Sequence, residues 1–503
     1  MHAERDRREQ PLGVCVKFIR RKTLAAASTV ALGVGLAVTG GLAPASAAGP
    51  ETTFLVLAPQ GASTDRAVAR ATAAQGTVVA TYDQIGVLVV RSTNPDFVRQ
   101  VAGAGVESVA STAGLGAALD EGETVELTGL AATTANPTGE PLFAQQWDMP
   151  MIKVPQAHAI NAGSPDVVVG VLDSGISSSH PDLASQIARD KSASCIGGAP
   201  DTTEASWNPT TSDHGTHVAG TIAAAVNGVG VTGVAPGVKV AAVKVVNDDG
   251  YIFPEAAVCG FLWAAEHGMQ VTNNSYYIDP WELNCRNDAR QRPVWQAIQR
   301  AIRYSQSKGV LHVASSGNSN YDLAHKNVDS GSPNNGTPEV REVNSACLVL
   351  PGEAPGVVTV SAVGPTGAKS YYSSYGQGVV DVTAPGGDTR FRTQGARSTT
   401  SDAILSTTFN VVTRTNGWGY KQGTSMSSPH AAGVAALAAS AHPGMNPGQL
   451  AAFLESTATP LSCPAGVYNP VPLLGSDYDA TCSGGARNGF YGAGMVDAHA
   501  AVR

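Results

Sequence analysis

Apolar runs of strand length, broken by helical ones, divide the chain into two parts with different rhythms. From residue 51 to about 110 the pattern predicts strands at 53–57, 77–82, 87–91 and 106–110, with helices at 65–74 and 95–102. The order strand, helix, strand, strand, helix, strand specifies a small α+β unit of the split βαβ type. After residue 140 the runs 167–172, 238–246, 310–314 and 357–363 are continuously apolar, and helical stretches at 216–225, 255–267, 293–308 and 431–441 lie between and after them. Strands apolar on both sides belong in a parallel sheet covered by helices on both faces, so an α/β architecture is predicted there. A short helix near 496–502 ends the chain. Between the two parts, residues 114–140 are rich in Gly, Thr and Ala and carry Asp120, Glu121, Glu123 and Glu126. This stretch reads as an exposed linker, where proteolysis concentrates.

Composition adds a compartment. The first 47 residues run from a basic segment ending Arg20-Arg21-Lys22, through a Gly- and Ala-rich apolar run at 24–43, to Ala45-Ser46-Ala47. That is the form of a cleaved secretory signal peptide; a membrane anchor would need larger apolar residues. The predicted division is therefore 1–47 signal peptide, 49–113 front domain, 114–140 linker with the processing site and 141–503 main domain, in a protein secreted to the exterior and free of the membrane once the signal is removed. Residues 1–47 hold seven Lys or Arg against three Asp or Glu, net +4, against −8 for the whole chain, which leaves −12 on the remainder. No basic patch points to a nucleic acid. Beyond Cys15, six cysteines remain, an even number that suggests three disulfides in an exported chain. Cys463 and Cys482 are close enough to form a local pair, and the partners of Cys195, Cys259, Cys285 and Cys347 stay open.

Four motifs carry chemistry. The buried run 167–172 leads into Asp173-Ser174-Gly175, which puts a carboxyl at the carboxyl end of a strand. Asp213-His214-Gly215-Thr216-His217 opens an Ala-rich helix with an imidazole in its first turn, able to accept and return a proton near neutral pH. Two histidines at that spacing lack the pattern of a zinc-binding helix and a third ligand. The run 310–314 ends in Ser315-Ser316-Gly317-Asn318, offering a side-chain amide as an oxyanion donor. Last, Gly423-Thr424-Ser425-Met426-Ser427-Ser428-Pro429-His430 precedes an apolar helix, with Ser425 as candidate nucleophile and Pro429 in the place of a first-turn proline.

Taken together, in the order Asp, His, Asn, Ser, these motifs resemble those of the subtilisin-type serine proteases, whose triad runs in the order Asp, His, Ser. The resemblance covers about residue 145 to the end. It implies a subtilisin-like parallel sheet flanked by helices and a secreted endopeptidase with Asp173, His214 and Ser425 as triad, Asn318 as oxyanion donor and no cofactor for catalysis. It implies that an extended peptide or protein substrate lies between Gly250-Tyr251-Ile252 and Ser275-Tyr276-Tyr277, beside Ser315-Ser316-Gly317, as an added β-strand. Tyr277 departs from the family's glycine there and is expected to reshape the primary pocket. The insertion at 319–350 either lines that pocket or is a solvated loop. Asp182, Asn227 and the carbonyls of Ala225, Val229 and Val231, with Gln145, match positions of a structural Ca²⁺ site, though the same residues also suit a plain turn. The front domain is similar to the ferredoxin-like inhibitory propeptide of these enzymes, so the protein's own propeptide is an expected intramolecular partner, and a monomer is expected. Two other functions fit the same motifs: a narrow-specificity protease that processes one leader peptide, and an inactive binding protein on the same fold.

Overall fold

The computed structural model describes residues 49–112, 125–126, 139–278, 280–333, 337–390, 392–393, 396–397 and 399–503. The described residues form one compact unit. The expected signal peptide, and all of the expected linker except residues 125–126 and 139–140, lie outside the described residues.

The front part follows its apolar pattern closely: β1 (Thr52–Leu57), α1 (Asp65–Ala73), β2 (Gly76–Tyr82), β3 (Val87–Ser92), α2 (Phe97–Val101) and β4 (Ser108–Ser111). The strands form an antiparallel sheet in the order β2-β3-β1-β4. Alternation along β1 and β3 sends side chains to opposite faces. Phe54, Val56, Leu88 and Val90 pack with Ala67, Ala71, Phe97 and Val101 of the two helices. Leu55, Leu57, Val87 and Val89 turn the other way, into the core of the main domain.

After β5 (Val125–Glu126) and α3 (Asp148–Met151), the main domain is built on β6 (Val168–Asp173), β7 (Ala193–Ser194), β8 (Lys239–Lys244), β9 (Val271–Asn274), β10 (Leu311–Ser315), β11 (Val357–Val363) and β12 (Val382–Pro385). These make a seven-stranded sheet in the order β12-β11-β10-β9-β6-β8-β7, with every neighbour parallel. It is the parallel α/β architecture that the apolar runs predict. Both faces are covered, as continuous apolar strands require. On one side Val169, Val171, Val240, Val313 and Val360 pack against α4 (His214–Ala223) and α7 (Thr424–Ala441). On the other, Val168, Leu172, Ala241, Val243 and Ala314 pack against α5 (Pro254–Glu266) and α6 (Arg292–Ser307), which in turn carry the front sheet. Arg300 of α6 fixes that docking by donating to Ala58 O at 2.8 Å and pairing with Glu107 at 2.8 Å. Tyr82 Oη adds a bond to Gly198 O at 2.7 Å.

A hairpin of β13 (Ile404–Asn410) and β14 (Thr415–Lys421) leads into α7, and β5 of the linker pairs with β14 at its edge. Helix α7 starts earlier than the proline suggests. It begins at Thr424, so Pro429 lies inside it. The proline cannot bond the carbonyl four residues back, that of Ser425, and the Ser275 hydroxyl donates to it instead at 2.8 Å. His430 anchors the same helix, with Nε2 on Asp148 Oδ2 of α3 at 2.9 Å and Nδ1 on Met426 O at 2.7 Å. The disulfides pair Cys195 with Cys259, Cys285 with Cys347 and Cys463 with Cys482; the local pair expected near the C-terminus is among them. Among the described residues no helix is long and apolar enough to cross a membrane.

The interface of the front sheet contains one buried acid, Glu255 in the first turn of α5, 4% exposed. Burial pushes its carboxyl from 4.5 up to about 7, against smaller opposing effects from Thr112 and Arg91. A raised value in the folded state means stability that is complete below about pH 4.5 and lost as pH rises through about 7. Glu255→Gln should flatten the fall in unfolding free energy across that window by about 3 kcal/mol. Denaturant titrations at pH 4.5 and 7.5 check it: equal pH dependence in both proteins would mean that Glu255 is not the group responsible.

Candidate active site

Asp173, His214, Asn318 and Ser425 come from four different elements, and the sheet brings their ends to one edge. Asp173 closes β6, near the middle of the sheet, and is fully buried. Its carboxyl accepts from Ser174 N at 2.7 Å and meets His214 Nδ1 at 2.9 and 3.0 Å. His214 begins α4, also fully buried, with its own N–H on Ser212 Oγ at 3.0 Å. The helix reaches the strand end because residue 215 has no side chain. A Cβ on Gly215 would fall 2.5 Å from Gly175 O and 3.0 Å from Asp173 Cβ. Gly215 N then donates to Ser174 Oγ at 3.0 Å.

Asn318 and Ser425 are joined through Thr424. Gly317, at φ +104°, turns the chain out of β10. Its N–H donates to Thr424 Oγ1 at 3.2 Å. Asn318 Oδ1 then accepts from Thr424 N at 2.9 Å and Thr424 Oγ1 at 2.8 Å, which commits the oxygen and makes Nδ2 the donor end of the amide. Ser425, in the first turn of α7, donates its hydroxyl to Ser275 O at 3.2 Å. The Ser275 hydroxyl in turn meets Ser428 Oγ at 2.8 Å as well as Ser425 O. The result is a hydroxyl held at a helix start, an amide donor beside it and a buried imidazole backed by a carboxyl. Such a set can move a proton and hold an oxyanion.

The neighbouring candidates are placed less uniformly. Gly250, Tyr251 and Ile252 form a turn closed on itself: Tyr251 N donates to Asn247 Oδ1 at 2.8 Å and Tyr251 O accepts from Asn247 N at 2.9 Å. Tyr251 therefore uses its backbone within the turn, and Ile252 is buried and bridged antiparallel to Val246. These two do not present the open strand edge expected of them. Tyr276 is also buried, its hydroxyl on Asn274 Oδ1 at 3.1 Å. Ser316 is tied by its hydroxyl to Ser374 O at 2.9 Å. Tyr277 packs with Leu283, Leu323, Val343 and Val349, so the 319–350 insertion is no simple solvated loop. It shares an apolar cluster with Leu283 and Cys285 and holds an Asp329–Arg341 pair whose carboxylate is fully buried. His217, considered as a metal ligand beside His214, turns its Nε2 to Ile404 O at 3.0 Å, and burial pushes it down to about 3, leaving it neutral.

The expected Ca²⁺ position does not fit a cation. Asp182 is fully buried, but Oδ2 accepts from Val231 N at 3.1 Å and Trp418 Nε1 at 2.8 Å, and Asn227 Nδ2 approaches Oδ1 at 3.4 Å. Ala225 N donates to Asp182 O, and Gly228 N and Val229 N donate to Glu140 at 2.8 and 3.1 Å. Calcium needs convergent oxygen lone pairs. Here N–H groups converge instead, and the loop at 225–231 is held by two carboxyl groups of the protein. Among the described residues no group of three or more His, Cys, Asp or Glu could hold a metal.

Four contributors to the site escaped the motif analysis. Thr424 lay inside a quoted motif, but nothing local shows that it orients Asn318. Asp148 and Lys421 carry no sequence signal at all, and Glu140, at the end of the linker, was counted as exposed although it is fully buried.

Comparisons with known proteins give the family and the fold. A model of the Subtilase family matches residues 164–494, and the chain belongs to that family. It is a serine-type endopeptidase, of a kind that needs no cofactor for catalysis. It is 32% identical to Subtilisin DY of Bacillus licheniformis across 63% of this chain and 92% of that protein. To fervidolysin of Fervidobacterium pennivorans it is 31% identical across 65% of this chain but 42% of fervidolysin, so it spans less than half that relative's length. Among solved structures, the epidermin leader peptide processing serine protease of Staphylococcus aureus shares the fold, with a TM-score of 0.65 at 19% identity over 90% of this chain and 98% of that one. A protease of Pseudoalteromonas arctica PAMC 21717 gives 0.53 at 30% identity over 73% and 99%.

The reading of the Asp182 loop predicts that chelator and added Ca²⁺ leave the unfolding temperature unchanged. Asp182→Ala should instead cost about 2–3 kcal/mol, since it leaves the Val231 and Trp418 N–H groups without their acceptor. Scanning calorimetry with and without EDTA decides; a drop of several degrees on chelation would restore the cation.

Proposed function

We propose that the chain is a secreted, self-processing subtilisin-like endopeptidase in which Ser425 is the nucleophile, His214 the general base, Asp173 its orienting acid and Asn318 an oxyanion donor. The buried contact of Asp173 with His214 Nδ1 carries the reading, because it commits Nδ1 as the donor and leaves Nε2 as the acceptor. After a turn of its side chain away from Ser275 O, Ser425 Oγ bonds to the scissile carbonyl carbon and its proton passes to His214 Nε2. The carbonyl oxygen becomes an oxyanion held by Asn318 Nδ2 and Ser425 N–H at the start of α7. Collapse of this intermediate breaks the C–N bond, and His214 returns the proton to the leaving amine. Water then repeats the sequence on the acyl-enzyme, releasing the acid and regenerating Ser425.

The front unit, docked on α5 and α6, is in this reading the inhibitory propeptide, and the linker is the bond-bearing segment cut by the enzyme itself between residues 115 and 143. A narrow-specificity processing role is favoured by one observation: Tyr277 and the 319–350 insertion build a wall of their own beside the substrate segment. A random peptide library separates broad cleavage from a single tolerated sequence.

Two outcomes follow. Asn318→Ala should lower kcat by about 10²–10³ with KM little changed, the range known for the same donor in subtilisin; a change in KM alone would make Asn318 a pocket residue. Ser425→Ala should be secreted without residues 1–47 yet stay uncut in the linker. N-terminal sequencing of that variant from a host lacking extracellular proteases checks it: a shortened chain would show that another enzyme does the processing.

A further inference from the structure

Asp213 stands immediately before His214, at the N-cap of α4, and its carboxylate is engaged on both oxygens. Oδ1 meets Lys421 Nζ at 2.8 Å, and Oδ2 accepts from Phe409 N at 3.0 Å. Lys421 is the last residue of β14, 1% exposed, four residues before Ser425. Next to it, Gln422 Oε1 takes the Thr389 N–H at 2.8 Å. The helix carrying His214 and the strand leading to Ser425 are thus bridged by one partly buried ion pair, Lys421 at 1% and Asp213 at 16% side-chain exposure, and the same carboxylate pins β13.

The pair is charged. Burial alone would push the Asp213 carboxyl up, but the Lys421 ammonium, its hydrogen bond and the Phe409 N–H outweigh it and hold the carboxyl below the usual range. Its field reaches the neighbouring imidazole of α4, since after burial Lys421 is the next influence lowering His217, and Asp213 opposes it. Asp173 from β6 meets His214 directly, Asp213 and neutral His217 share its helix, Lys421 from β14 pairs with Asp213, and the Tyr276 hydroxyl after β9 faces the field of Asp173. Burial keeps that hydroxyl protonated, well above its ordinary value.

We propose that the Asp213–Lys421 pair is a positioning element of the active site, which ties the His214 helix to the Ser425 strand and cancels two charges that would otherwise bias the imidazole. Inside a protein a lone charge near a titrating group shifts it far more than in water, whereas a close pair of opposite charges largely cancels at a distance. With the pair intact, its two charges largely offset each other, and Asp173 is the carboxylate in contact with His214. The inference rests on His214 being the base, and the two can fail separately: substantial turnover in His214→Ala overturns the base, whatever the pair does.

The test is the pH profile of kcat/KM for the mature enzyme. Asp213→Asn keeps the shape and the acceptor for Phe409 but leaves the ammonium, so the acid limb should move to lower pH by about half a unit. Lys421→Met leaves the carboxylate and should move it upward by a similar amount, while Lys421→Arg should leave it in place. The double variant Asp213→Asn/Lys421→Met should return the limb to the parent position, with kcat still below the parent because the tie is gone, and KM unchanged. Should Lys421→Met fail to fold, Asp213→Asn and Lys421→Arg still decide the matter. Opposite shifts that cancel support the proposal. Limbs that do not move, or that move the same way in both single variants, overturn it, because loss of structure alone has no sign.

Discussion

A carboxyl group with no exposure to water sets the terms for the rest of this structure. Burying Asp173 at the end of β6 is unfavourable unless its oxygens are hydrogen-bonded. The partners available are Ser174 N and His214 Nδ1, and the second can arrive only if α4 begins against the strand end. That approach requires glycine at 215, and the helix it admits must then be held at its first turn. Asp213 provides the hold, bonded to β13 through Phe409 and to β14 through Lys421. Each step fixes the next, from one buried acid to the strand that delivers Ser425.

The opposite face of the sheet is organised by area and not by charge. Helices α5 and α6 bury one side on Leu172, Ala241 and Val243 and offer the other to Leu55, Leu57, Val87 and Val89 of the front sheet. Those four side chains and the helix surface they cover would meet water together if the front unit left. Burial of an aliphatic side chain contributes about 1.5–3 kcal/mol, so the docked arrangement is favoured by apolar contact, with the Arg300–Glu107 pair and the Tyr82 bond fixing its register. A front unit that both covers a core face and is joined to the main domain by a linker suits the role of a detachable inhibitor proposed for it.

Much of this was legible in the sequence, for identifiable reasons. The strands and helices follow from apolar period, and the ends of β6, β10 and α4 follow from Asp-Ser-Gly, Gly-Asn and His-Gly-Thr signals that are local. What failed was everything that depends on the direction of a bond or on a distant partner. Pro429 reads as a first-turn proline until Ser275, 150 residues away, supplies the missing donor to Ser425 O. Tyr251 reads as open strand edge, but Asn247 closes the turn. Asp182 and Asn227 have the residue types of a cation site, while the N–H groups that surround Asp182 depend on Trp418 and on the path of the loop. The 319–350 insertion hides a small core because its apolar residues are too widely spaced to show a period.

The central claim is that the turn opening α7 delivers one reactive hydroxyl into a cleft prepared by Asp173, His214 and Asn318. A fluorophosphonate reagent, which bonds to an activated serine oxygen with loss of fluoride, tests it when the labelled peptide is mapped by mass spectrometry. The account predicts a single adduct at Ser425, formed in step with loss of peptidase activity and absent when His214 is replaced by Ala. Full inactivation with the adduct on any other residue, or an active enzyme that takes no label at Ser425, would contradict it.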